Sequence, residues 1–131
     1  MFEKLEIFRM AQAMARHAGT RQAVVAQNIA NADTPGYAAR DVAPFTEIMK
    51  QDGTGPGGAL RATRPGHLDR SETASAAVVI ERRGAQTDPN GNSVSLETEM
   101  LYAVDVKRQH DRAIAIYKSS LSILRAAIGR R

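Results

Sequence analysis

The two ends of the chain carry the periodicity of long amphipathic helices, whereas the middle carries almost none. Between Phe2 and Ala32 there is no proline and a single glycine, Gly19. Apolar residues recur there at spacings of seven and four, which places them on one helical face. Residues 43–92 instead hold seven of the ten glycines and four of the five prolines. The pattern predicts a mainly α fold, in which long N- and C-terminal helices pack as an antiparallel, coiled-coil-like pair on either side of an irregular Gly/Pro-rich middle.

Strong stop signals end the first helix. Pro35 cannot continue a helix because it lacks an N–H group, and Gly36 supplies a positive φ. The Asp33 side chain can bond its own backbone and brace the turn. The amides of Asn28 and Asn31 lie three residues apart on one helical face, where they can bond a neighbouring backbone as the chain turns.

A second long helix is expected at the C-terminal end. Ser93 or Ser95 offers an N-cap, and Glu97 and Glu99 would lie in the first turn, where the helix dipole favours negative charge. The chain therefore divides into an N-terminal helix with its turn (1–42), a flexible middle (43–92) and a C-terminal helix (93–131).

The C-terminal helix needs a partner because it is long and apolar along one side. The 36 residues from Ser93 to Ile128 would span roughly 54 Å as an α-helix. Steps of three and four from Met100 predict a seam of nine positions, seven of them apolar: Met100, Ala103, Lys107, His110, Ile114, Tyr117, Leu121, Leu124 and Ile128. If this helix pairs with the first helix, six apolar side chains would remain uncovered: Phe2, Leu5, Phe8, Leu101, Val104 and Val106. We therefore expect the chain to pack beside copies or relatives of itself.

The middle segment offers little regular structure. Residues 74–81 are typical of a short apolar strand, and residues 45–49 could form a helical turn or a second strand. The glycine run at 53–58 lacks the Lys-Ser/Thr of a phosphate loop and is more typical of a linker. The middle segment therefore predicts at most one short β-hairpin.

Neither catalysis nor a metal or cofactor site is predicted. The chain has no cysteine, which excludes disulfides, thiol catalysis and thiolate metal ligands. His17 and His110 have no second ligand at the spacing a metal site needs. His67, Asp69 and Ser71 fall within five residues, whereas the members of a catalytic triad come from separated elements. We expect a protein that is not an enzyme and has no cofactor or small-molecule ligand.

Charge leaves one alternative open. The chain carries 18 Lys plus Arg against 14 Asp plus Glu, a net charge of +4, and its pI is about 9.9. The pairs Arg82-Arg83 and Arg130-Arg131 could contact phosphates, although the three tyrosines are too scattered to form a stacking platform. The alternative function is therefore a small basic helical nucleic-acid-binding protein.

The N-terminal residues and the hydropathy also bear on location. Residues 1–18 interleave charged with apolar residues, unlike the uninterrupted apolar core of a cleaved signal peptide. No stretch approaches the roughly 20 apolar residues that a membrane span needs.

The exit of the first helix carries a specific family resemblance. Asn28-Ile29-Ala30-Asn31 followed by Asp33-Thr34-Pro35-Gly36-Tyr37 resembles the signature shared by the bacterial flagellar rod, hook and hook-associated proteins. The longer run from Asn31 to Val42 resembles the proximal rod proteins of that family. Residues 88–97 resemble the start of the family's C-terminal helix, and the chain lacks the large inserted outer domain of hook proteins. The resemblance covers roughly residues 1–45 and 86–131.

This resemblance implies a structural subunit of the flagellar basal body, in the proximal rod that transmits torque from the motor ring toward the hook. Its partners would be copies of itself, other rod proteins, the adaptor between rod and membrane ring, and, in transit, the flagellar type III export apparatus. Nucleic acid would not be a partner. The chain would lie in the periplasmic space and be exported without a cleaved signal peptide.

Packing in such an assembly would fall to the apolar faces of both helices. The residues expected there are Phe2, Leu5, Ile7, Met14, Ala18, Val25, Ile29, Met100, Ile114, Tyr117, Leu121, Leu124 and Ile128. Phe2 and Leu5 could serve equally as an export signal, because export signals in this family lie near the N-terminus.

Overall fold

The computed structural model describes residues 2–54, 79–82, 84 and 86–129. The elements in chain order are α1 (Phe2–Ala30), β1 (Arg40–Val42), α2 (Phe45–Thr54), β2 (Val79–Glu81) and α3 (Leu96–Ile128). The long helices α1 and α3, of 29 and 33 residues, pack against each other as predicted.

Helix α1 runs without interruption through Gly19 and ends at Ala30, just before the predicted stop signals. Helix α3 begins after Ser95, which holds the N-cap position with φ −99° and ψ 115° but makes no side-chain cap hydrogen bond. The other candidate cap, Ser93, uses its hydroxyl elsewhere: its Oγ accepts a hydrogen bond from the Ala39 N–H at 2.8 Å. Glu97 and Glu99 lie in the first turn of α3, as expected.

The core lies between the two long helices. Its central cluster consists of Ala18 and Val25 from α1 and Val106 from α3, and the partly buried Ile29, Tyr102 and Ala103 pack around it. The prediction that Val106 lies off the seam is wrong, because its side chain is completely buried. Lys107, which the prediction placed on the seam, is exposed.

The buried positions of α3 recur every seven residues, at Glu99, Val106 and Ala113. The predicted seam begins one residue later, at Met100. At every seventh position its line along α3 is therefore offset by about 100° around the helix axis from the line of buried residues. Met100 is 56% exposed in this chain. The shift has a physical reason: the first buried position holds a carboxylate, which a search for apolar spacing passes over.

A two-stranded antiparallel sheet joins the middle of the chain to α1. Strand β1 pairs with β2 in the register Arg40↔Glu81, Asp41↔Ile80 and Val42↔Val79. The strand predicted over 74–81 is thus found at its C-terminal end. Its partner is β1, for which no strand was predicted.

The segment 45–49, left open as helix or strand, begins helix α2. His17 of α1 anchors the start of this helix, because its Nε2 lies 2.8 Å from the Ala43 carbonyl oxygen and its ring contacts Phe45 with centroids 5.6 Å apart. The linker predicted over 53–58 is wrong at Gly53 and Thr54, which lie in the last turn of α2. Its remaining residues, and the group His67, Asp69 and Ser71, lie outside the described residues.

Candidate functional site

The loop that leaves α1 and the loop that leads into α3 lie side by side. The Gly36 N–H donates to the Asn90 carbonyl at 3.1 Å, and the Ser93 N–H donates to the Tyr37 carbonyl at 3.1 Å. We call residues 28–40 and 88–99, held together by these and the following hydrogen bonds, the polar clasp. It brings together the two stretches that carry the family resemblance, although about sixty residues separate them in the chain.

Asn28, at the last turn of α1, is the centre of the polar clasp. Its side chain is completely buried and uses all four of its hydrogen-bonding positions. Nδ2 donates to the Arg40 carbonyl at 2.7 Å and to Glu99 Oε2 at 3.1 Å. Oδ1 accepts from the Arg40 N–H at 3.1 Å and from the Tyr37 hydroxyl at 3.3 Å. One amide therefore ties together α1, β1 and α3.

Asn92 holds the turn that follows α1 from across the clasp. Here the Asn92 Nδ2 lies 2.9, 2.7 and 2.9 Å from the carbonyl oxygens of Asn31, Ala32 and Thr34, and its Oδ1 accepts from the Val94 N–H at 2.8 Å. The side chain is 1% exposed. A residue about sixty positions away thus bonds the turn that follows α1, whereas the carbonyls of Gln27, Asn28 and Ile29 at the end of the helix accept from the nearby Asn31 and Ala32 N–H groups.

Two glycines allow the loops to approach. Gly36 has φ +72° and Gly91 has φ +80°, both in the left-handed region that glycine favours. A Cβ on Gly91 would lie 3.4 Å from the Gly36 Cα, so the two main chains are in direct contact. The positive φ predicted for Gly36 is confirmed.

A buried ion pair extends the clasp to the sheet. Glu99 is completely buried, and its Oε1 lies 2.6 Å from the Arg82 Nη1. The Arg82 guanidinium also lies 3.9 Å from Asp41 Oδ2 and stacks 4.7 Å from the centroid of the Tyr102 ring. Arg21 contacts Asp41 at 3.6 Å from the other side.

Such a pair is weak evidence for stability, because both charges lose their hydration. It does restrict the geometry: sliding α3 along α1 would separate Glu99 from Asn28 and Arg82 and leave charge buried without a partner. The Asn28–Glu99 hydrogen bond and the ion pair with Arg82 therefore favour one register of the two helices.

The sequence predictions for the turn are partly confirmed. The Asn28 amide bonds a neighbouring backbone as expected. Asn31 does so within its own helix, because its Nδ2 donates to the Gln27 carbonyl at 2.8 Å, and its Oδ1 accepts from the Thr34 hydroxyl. The prediction that Asp33 braces the turn is wrong. In the part of the chain that the structure describes, its carboxylate is exposed and makes no hydrogen bond. Asn92 holds the turn instead.

Glu99 and Asn92 were not predicted as site residues. Asn92 lies within residues 88–97, the stretch that resembles the start of the family's C-terminal helix. This resemblance is the signal in the sequence that points to it. The sequence alone places Glu99 in the first turn of α3, where the helix dipole explains its charge, and gives no sign of its burial.

The residues expected to pack in an assembly lie in three environments. Ala18 and Val25 are buried within the chain, Ile29 packs against them, and Met14, Ile114, Leu121 and Leu124 are partly buried. The exposed members are Ile7, Met100, Tyr117 and Ile128. The side chains of Phe2 and Leu5 lie outside the described residues. Phe8, expected to be left over, packs on α3, because its ring centroid lies 5.2 Å from that of Tyr117.

Among the residues with described positions, no group of histidine and acidic side chains could hold a metal ion. Nor is any helix in this part of the chain both long enough and apolar enough to cross a membrane. The clasp residues mainly satisfy one another's hydrogen-bonding groups, so their arrangement suits a structural role.

Comparison with known proteins identifies the family. Residues 11–37 match the family described as "Flagella basal body rod protein". Over 121 residues the chain is 36% identical to the flagellar basal body rod protein FlgB of Agrobacterium fabrum, covering 89% of this chain and 88% of that protein. It is 35% identical over 107 residues to the FlgB protein of Salmonella typhimurium, covering 77% of each. With the FlgB protein of Escherichia coli it shares 34% identity over 122 residues and 88% of each chain.

These relatives confirm the resemblance read from Asn28–Tyr37, and nothing in the comparisons supports nucleic-acid binding. Since more than one relative above 30% identity aligns along most of the chain, the protein belongs to the FlgB family of flagellar basal body rod proteins and is a structural subunit of the rod rather than an enzyme.

Proposed function

We propose that this subunit lies in the proximal rod, where the exposed faces of α1 and α3 pack against copies of itself, other rod proteins and the adaptor to the membrane ring. The observation that carries this proposal is the exposure of large apolar side chains along α3. Leu101 is 72% exposed, Met100 56% and Val104 54%. Such a patch on a single chain is typical of a protein interface.

The exposed patch follows one side of the helix. Leu96, Met100 and Val104 are spaced by four residues and Leu101 lies beside them, so they form a continuous surface over the first turns of α3. Ile123 and Ile128 are also exposed near the far end of the helix, at 56% and 76%. A neighbouring helix that covered these side chains would remove them from water, which favours assembly.

Torque transmission would depend on both features. The polar clasp holds α1 and α3 in one register, and the exposed faces join each pair to its neighbours. Twisting one subunit would then shear packed side chains along the whole length of α3.

The route to the rod would be the flagellar type III export apparatus, without a cleaved signal peptide, and the destination would be the periplasmic part of the basal body. Helices that are not packed are marginal in water, which suits passage of an unfolded chain. The clasp cannot form until Asn28 and Asn92 have both left the export channel. Phe2 and Leu5 would act as export signal, packing anchors or both.

The experiment is to replace Leu101 with Asp in a swimming strain. Because Leu101 is mostly exposed, the variant should leave the helix content and urea midpoint of the isolated chain within error, yet reduce rod assembly and motility at least about tenfold. Leu101→Met, which keeps an apolar side chain, is the matched control and should swim normally. Normal motility of Leu101→Asp, with the variant present in basal bodies, would refute the assignment of this face to assembly.

A further inference from the structure

The polar clasp contains one Asn-Gly pair, Asn90-Gly91, and the Asn90 side chain is exposed. We propose that Asn90 is a site of spontaneous deamidation that is open while the chain is unfolded and closed by the polar clasp once the chain is folded in the rod. This inference uses the proposed function only in placing the folded chain in the rod.

The reaction is an attack of the chain on itself. The Gly91 main-chain nitrogen attacks the side-chain carbonyl carbon of Asn90, ammonia leaves, and a five-membered succinimide forms. Water then opens the ring at one of its two carbonyls and gives aspartate or isoaspartate. One amide and one water thus become one carboxylate and one ammonium ion, with no oxidant or reductant.

Glycine is what makes this pair reactive. A residue with a Cβ hinders the approach of its own nitrogen to the preceding side chain, whereas glycine does not. The chain has four asparagines, and the other three precede Ile29, Ala32 and Ser93. Asn90 is therefore expected to react first in the unfolded chain.

In the folded chain, three hydrogen bonds engage the reacting groups and the main chain beside them. The attacking nitrogen of Gly91 donates its hydrogen to the Asp88 carbonyl at 2.8 Å, so it is not free to lose that hydrogen. The Asn90 Oδ1 accepts from the Asn92 N–H at 3.0 Å, and the Asn90 main-chain carbonyl accepts from the Gly36 N–H at 3.1 Å. Attack would require these bonds to open, which slows it by the equilibrium constant for opening.

The isoaspartyl product would not fit the polar clasp. It lengthens the main chain between residues 90 and 91 by one carbon and adds a negative charge. Gly91 is in main-chain contact with Gly36, and Asn92 must reach three carbonyls of the opposite loop. A chain modified before it folds should therefore be depleted from the rod.

The first test compares rates. The full-length chain unfolded in guanidinium chloride and the same protein in isolated basal bodies are incubated at one pH and temperature, then digested and mapped by mass spectrometry. Loss of the Asn90 amide raises the mass by one unit, which separates it from isomerisation at Asp52-Gly53. We expect the reaction to be at least about tenfold slower in basal bodies. Equal rates would overturn the proposed protection.

Gly91→Ala, measured in guanidinium chloride where the fold plays no part, is the control for the chemistry. It should slow deamidation about tenfold because the added Cβ hinders the attack. An unchanged rate would overturn the assigned mechanism.

The second test compares populations within one culture. The isoaspartyl fraction at residue 90 is measured in the rod and in the pool of chains not yet exported, and we expect it to be several-fold lower in the rod. Equal fractions would overturn the exclusion of modified chains. The Leu101→Asp result would stand in either case, because it depends on a different face of the molecule.

Discussion

Replacing Asn92 with Asp would test the polar clasp with almost no change in shape. The substitution exchanges an amide nitrogen for an oxygen at a position that lies 2.7–2.9 Å from three carbonyl oxygens. Both N–H donors are lost, and a carboxylate faces the C-terminal end of α1, where the helix dipole is negative.

The magnitude follows from the contacts. Two hydrogen bonds from a side chain that is 1% exposed contribute about 2–3 kcal/mol together. The charge at the negative end of the helix adds about 1 kcal/mol. The free energy of unfolding should therefore fall by about 3–4 kcal/mol in Asn92→Asp and by a similar amount in Asn92→Ala, which brings in no charge but also loses the hydrogen bond from the Val94 N–H to Oδ1.

The pH dependence of the deficit distinguishes charge from lost packing. The carbonyls disfavour ionisation, so the pKa of the introduced carboxyl in the folded chain should rise above about 3.9, the value in an unfolded chain. Below pH of about 4 the carboxyl is protonated in both states, and this part of the deficit disappears. The deficit grows as the pH rises from about 3.9 to the folded-state pKa, because only the unfolded chain is ionised in that window, and it is constant at higher pH.

The assay is urea unfolding followed by circular dichroism at a series of pH values. Asn90→Asp adds the same charge two residues away on an exposed side chain and should cost less than about 0.5 kcal/mol. If Asn92→Asp and Asn90→Asp are equally stable at neutral pH, or if the deficit of Asn92→Asp does not change with pH, the role given to the Asn92 amide is wrong.

Three further substitutions probe the core, the ion pair and the turn. Val106→Ala removes two methyl groups from a fully buried site and should lower the free energy of unfolding by about 2 kcal/mol, whereas Val104→Ala, at a site 54% exposed, should cost less than about 0.5 kcal/mol in the same urea titration. Glu99→Gln leaves the Arg82 guanidinium without its carboxylate and should lower the free energy of unfolding by about 3 kcal/mol. In a double-mutant cycle, adding Arg82→Met should recover more than half of this loss. Additive losses of stability would contradict the pairing. Gly36→Ala must adopt φ +72° with open space around its Cβ, so backbone strain alone should cost about 1 kcal/mol, and an unchanged melting temperature would show that the loop relaxes.

Local signals were sufficient to predict the two long helices. Their apolar spacing extends over many turns, and Pro35 and Gly36 end the first one within a few residues of the observed boundary. The three-residue strand β1 was not predicted, because an element so short has no periodicity to detect. The choice between helix and strand for residues 45–49 depended on tertiary contacts, including the one from His17 to Ala43.

The polar clasp could be predicted only in part. The family resemblance singled out both loops, but no local pattern shows that Asn28 and Glu99, 71 residues apart, share a hydrogen bond. Glu99 was also ambiguous in itself. A glutamate in the first turn of a helix is ordinarily an exposed partner of the dipole, and only its contact with Arg82 explains why it is buried.

The pairing of β1 with β2 has a consequence for how this fold tolerates changes in chain length. The register Arg40↔Glu81 holds two distant parts of the chain side by side, and β1 lies against α1. Doubling the length of a flexible closed loop costs only about 0.6 kcal/mol in closure entropy. Residues could therefore be inserted or deleted between the strands without altering the spacing of the helix ends. Proteins with the same pair of long helices could in this way differ in the length of chain between the two strands. The surfaces of α1 and α3 that face neighbouring subunits would stay the same.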